Sequence, residues 1–60
     1  MNYYKVPIVD GQFKGVNYSD ILEGIAHARH VEQGYGYICT SATYDLERVS
    51  EEIFNAERMV

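Results

Sequence analysis

Tyr4, Val6 and Ile8 recur at every second position in the stretch Tyr3 to Val9, and this stretch and Gln12 to Tyr18 flank Asp10-Gly11. Alternation with a period of two marks a strand with one buried face, and Asp-Gly is the dipeptide that most readily takes a two-residue type I′ turn. The pattern predicts a hairpin in which Val9 faces Gln12, Ile8 faces Phe13, Val6 faces Gly15 and Tyr4 faces Asn17. Pro7, Lys5 and Tyr3 then face Lys14, Val16 and Tyr18 on the other side. Tyr4, Val6, Ile8 and Phe13 form the buried face. Pro7 has no N–H, so it belongs at a solvent edge or a ladder gap, and Gly15 is a candidate bulge.

The period then lengthens. Asp20 and Glu23 have the spacing of a capping box, and Ile21, Leu22, Ile25 and Ala28 share one side of a helix that Gly34 would stop in a left-handed conformation. Gly24 inside that helix is a cost unless another backbone approaches closely. Tyr35 to Ser41 is rich in aromatic and β-favouring residues and reads as a third strand. Thr43 caps a second helix, in which Leu46, Val49, Ile53, Ala56 and Val60 recur at spacings of three and four, with Phe54 broadening the seam.

The predicted order is β-β-α-β-α: an α+β fold, a single domain over residues 1–60, with a three-stranded antiparallel sheet in the order 2-1-3 and two helices on one face. Such a sheet leaves its second face open. If Gly36 and Ile38 lie beneath the helices, Tyr35 and Tyr37 join Tyr3, Val16 and Tyr18 on that open face. Tyrosine combines a large apolar area with a hydroxyl that can stay wet, so Tyr3, Tyr18, Tyr35 and Tyr37 become candidate contact anchors; with the opposite parity they are core.

Composition narrows the function classes. At 60 residues the core is thin, and a single cysteine and no zinc-site spacing leave oligomerisation as the remaining staple, so a homodimer is expected. Hydrophobic residues make up 47% of the chain, enough for a folded domain. A net charge of −4 with five scattered basic residues disfavours nucleic acid and anionic membranes as partners. No signal-peptide pattern or bilayer-length apolar run is present in the sequence, which makes the cytoplasm the expected location.

Three groups of residues could carry chemistry. Glu23, His27 and His30 would fall within about 60° of arc on the first predicted helix, a stripe of potential metal ligands that matches no zinc-enzyme motif and otherwise reads as a solvated face. Cys39, in mid-strand, reads as a small buried hydrophobe rather than a nucleophile. Gly34-Tyr35-Gly36 leads from helix to strand, the reverse of a phosphate cradle, so no cofactor is expected. The second predicted helix carries Glu51, Glu52 and Glu57, an acidic surface that could dock on a basic protein.

The opening MNYYKV followed by an Asp-Gly turn resembles short uncharacterised reading frames of bacterial and phage genomes. The resemblance covers the first strand and implies no functional residue. The expectation is a small non-catalytic interaction or regulatory protein with an unknown protein partner. The alternatives are an acidic, antitoxin-like inhibitor of a basic site and a metal-binding protein.

Overall fold

The computed structural model describes residues 1–58. In chain order it contains β1 (Asn2–Val9), β2 (Gln12–Phe13), a 3-10 turn (Tyr18–Asp20), β3 (Ile21–Ile25), α1 (Ala28–Gln33), β4 (Tyr35–Thr40), β5 (Glu47–Arg48) and α2 (Glu51–Arg58). The fold is α+β, and its sheet has five strands instead of three. β1 is central: β4 pairs with one side of it, β2 and β5 share the other, and β3 lies outside β4, with every pair antiparallel.

The hairpin turn forms as expected, with positive φ at Asp10 (54°) and Gly11 (77°) and the pairs Ile8–Phe13 and Val9–Gln12. The predicted register holds one step further, where the Lys14 N–H donates to the Pro7 carbonyl at 2.9 Å, and fails beyond it, because the chain turns away at Gly15. Tyr4 pairs with Ile38 and Arg48, not with Asn17. Ile8 donates its N–H to the Gly34 carbonyl at 2.8 Å, so the alternation of the strand directs the nitrogen of Pro7 to the other side of β1. There Pro7 is exposed at the end of the hairpin ladder, and its carbonyl accepts the Lys14 N–H at 2.9 Å.

Both predicted helices are corrected. The first covers only Ala28–Gln33, ended by Gly34 at φ 88°, whereas Ile21–Ile25 is strand. The apolar spacing of Ile21, Leu22 and Ile25 suits either state; the outer edge of β4 decides, because its buried backbone groups need a ladder partner. The second helix starts at Glu51, not near Thr43, with the Ser50 hydroxyl accepting from the Ile53 N–H at 3.1 Å. Glu47–Arg48 instead completes the outer side of β1, and the Val49 N–H donates to the Tyr3 carbonyl at 2.9 Å. Val60, the last position of the predicted seam, lies outside the described residues.

The sheet is curled and covered on both faces. On one face Ile25, Tyr37 and Cys39 are buried with Phe54 of α2, and Tyr3, Tyr35 and Val49 pack against them. On the other, Tyr4, Val6 and Ile38 are buried beneath Phe13, Val16, Ile21, Tyr44 and Leu46. Gly36 makes room not for a helix but for the Phe13 ring, since a Cβ there would stand 2.6 Å from Phe13 Cε1 and 2.6 Å from the Ile25 carbonyl oxygen. Hairpin, β3 and β4 thus close around one aromatic ring.

Candidate interaction surface

The parity of β4 is the opposite of the one that would put its tyrosines on an open face. Tyr37 is 7% exposed, with its ring edge-on to those of Tyr35 and His30 at 5.8 and 5.5 Å. Tyr37 is therefore core. Tyr3 is half-buried against Phe54, with ring centroids 5.0 Å apart, and Tyr35 is half-buried beneath the Lys5 ammonium, 4.3 Å from the ring centre. Burial raises the phenol pKa of Tyr37, reinforced by neighbouring Tyr35, and desolvation followed by the Glu51 charge raises that of Tyr3.

Of the four anchors only Tyr18 is largely exposed, at 54%, and its hydroxyl accepts the Phe13 N–H at 2.7 Å. Tyr4 and Tyr44, absent from the sequence-level candidates, act as internal clamps. The Tyr44 hydroxyl donates to Asp20 Oδ2 at 2.5 Å and accepts the Asn17 N–H at 3.0 Å, while the Tyr44 N–H donates to the Tyr4 hydroxyl at 3.0 Å. The hydrogen bond to Asp20 is the main cause of a raised Tyr44 pKa.

The stripe of Glu23, His27 and His30 does not form, because the helix that would carry it is strand at Glu23. Glu23 lies on β3, paired with the Arg58 guanidinium; half-buried His27 is the N-cap residue of α1; and His30 is 2% exposed. His30 Nε2 lies 2.8 Å from Glu57 Oε2, off the line of a good hydrogen bond, and Nδ1 meets no partner among the described residues. Among the described residues no three His, Cys, Asp or Glu side chains are grouped to hold a metal. Burial, then the Glu23 charge, pushes the Cys39 thiol pKa up, which keeps it protonated and weakens it as a nucleophile.

The acidic face of α2 is smaller than its sequence suggests. Glu57 is held by Arg29 at 2.9 Å and stands against His30, leaving Glu51 and Glu52 exposed in the first turn, where they complement the helix dipole. A cleft of about 350 Å³ lies beside β1, lined by Lys5, Pro7, Tyr35, Leu46 and Glu47.

One exposed apolar feature that sequence reasoning missed is the outer edge of β3. Leu22 is 59% exposed, the extra residue where the β3–β4 register shifts between Ile21 and Glu23. A second cleft, about 330 Å³, runs along Glu23 to His27 with Arg58 as its wall. The signal in the sequence was the run Ile21-Leu22-Glu23-Gly24-Ile25, with β-branched residues at both ends and a glycine unsuited to a helix interior. Among the described residues, no helix is long and apolar enough to cross a membrane. Comparison of the chain with protein-family models, with curated proteins and with solved structures finds no match.

Proposed function

We propose that this chain is a small non-catalytic interaction protein that works as a homodimer. The observation that carries the reading is the outer edge of β3, which pairs with no strand among the described residues and has Leu22 exposed upon it. An open strand edge is a ready template for another strand, and natural sheets usually blunt it with lysine, proline, a bulge or a covering element. The Ile21–Ile25 segment has neither lysine nor proline, its one charge, Glu23, is already paired with Arg58, and its bulge at Leu22 is confined to the N-terminal end of the strand.

Sedimentation equilibrium from micromolar to near-millimolar concentration tests the reading. Reversible dimerisation little affected by salt is the expected result, since main-chain and apolar contacts are weakly screened. A chain that stays monomeric throughout overturns it. A partner held through Glu51 and Glu52 would instead be released steeply as salt rises.

A further inference from the structure

We propose that two copies of this chain pair antiparallel along the outer edge of β3, about a two-fold axis at Ile25, so that their two sheets become one. The inference rests on the homodimer reading and adds the surface and the register.

The argument starts from which backbone groups face outward. The Ile8 N–H donates to the Gly34 carbonyl, so Gly34, Gly36, Ile38 and Thr40 turn their amides toward β1, and Tyr35, Tyr37 and Cys39 turn theirs toward β3. Tyr37 and Cys39 face Ile25 and Glu23 there, so Gly24 and, one alternation further, Ala26 direct their N–H and C=O groups away from the sheet. Both residues are small and exposed, so no side chain of their own screens those groups. Among the described residues β3 is also the longest open edge, because β2 and β5 are two residues each.

An isologous strand pair must set outward residues opposite outward residues. With the axis at Ile25, Gly24 lies opposite Ala26 of the second copy and Ala26 opposite its Gly24, while the bulge at Leu22 falls outside the paired segment. The alternating positions then bring Ile25 to Ile25 and Glu23 to His27 of the second copy. That last pair argues for a second copy over an unrelated extended peptide. A carboxylate meets an imidazole whose Nε2 is buried, so Nδ1 is the atom left to donate, and Glu23, already paired with Arg58 in its own chain, offers its remaining acceptor sites. The cleft along Glu23 to His27 gives the entering strand its place. Leu22 comes opposite Ala28 of the second copy, the first residue of its α1, with exposed Val31 on the same helix face one turn on.

Two measurements test the proposal. Ala26→Pro removes an outward donor and should weaken self-association by about tenfold or more, with circular dichroism and melting at low concentration unchanged; association as tight as in the parent overturns it. Amide hydrogen exchange on the unaltered protein does not depend on that variant folding. Exchange at Gly24 and Ala26 should slow as concentration rises while Leu22 stays constant. Slowing at all three overturns the register, since it would place the axis at Gly24. A dimer in which neither Gly24 nor Ala26 slows overturns the surface and leaves the homodimer reading intact, whereas a monomer at every concentration overturns both.

Discussion

A Cβ placed on Gly36 would come within 2.6 Å of the Ile25 carbonyl oxygen as well as the Phe13 ring, and the carbonyl cannot yield without moving the backbone of β3. Gly36→Ala should cost about 3 kcal/mol, measured as the shift in urea midpoint. At Gly24 the nearest approach is 3.3 Å, to Phe13 Cε2, and only that ring need give. Gly24→Ala should cost about 1 kcal/mol or less. Tyr44 makes a comparable prediction by a different mechanism. Removing its hydroxyl in Tyr44→Phe leaves Asp20 and the Asn17 N–H without their partner, for an expected loss of about 1–2 kcal/mol. The same variant should increase amide exchange at Asn17.

Among the elements, α2 depends on a few contacts. Its N-terminus is capped by Ser50, and its one buried residue is Phe54, set against Tyr3. Ser50→Ala should cost about 1 kcal/mol, while Phe54→Ala, at about 3–5 kcal/mol, should leave a domain this small without a cooperative melt. The Arg29–Glu57 bridge that links α1 to α2 is half-exposed at Arg29, so Arg29→Ala should cost no more than about 1 kcal/mol. Thermal denaturation of the three variants side by side checks the order. The short helices also explain why periodicity misled. Ile21 to Ile25 satisfies a helical template and Thr43 to Val49 continues a seam, but each lies beside a strand whose backbone groups have to be paired, and that demand acts between segments far apart in sequence.

At the scale of the whole molecule, alkaline pH tests how firmly the two faces hold their tyrosines. Tyr3, Tyr37 and Tyr44 all have pKa values raised above 10.0, and Cys39 above 9.0. Each group binds its proton more tightly folded than unfolded, so the stabilisation is complete below the unfolded value and is lost as pH climbs toward the folded one. Stability measured by urea should therefore fall from about pH 9–10 upward, with tyrosinate absorbance lagging behind that of the unfolded chain. A tyrosinate titration that matches the unfolded chain would show that these phenols are not held as described.

Local chemistry alone settled the features that depend on a few neighbouring residues. Asp10-Gly11 dictates its turn through positive φ, Gly34 dictates the end of a helix, and Tyr35 to Thr40 is legible as a strand from its aromatic and β-favouring residues. The inward side of β1 was legible for the same reason, with Tyr4, Val6 and Ile8 buried as their alternation required. Tertiary structure alone decided which way the tyrosines of β4 face, because both of its faces are apolar enough to be buried and only the positions of α1, α2 and the Phe13 ring distinguish them. It also decided that Ile21–Ile25 is a strand, for the partner that pairs it is β4, more than ten residues away. The candidate surface lay in that same stretch, so it became visible only when the pairing placed Gly24 and Ala26 on an open edge.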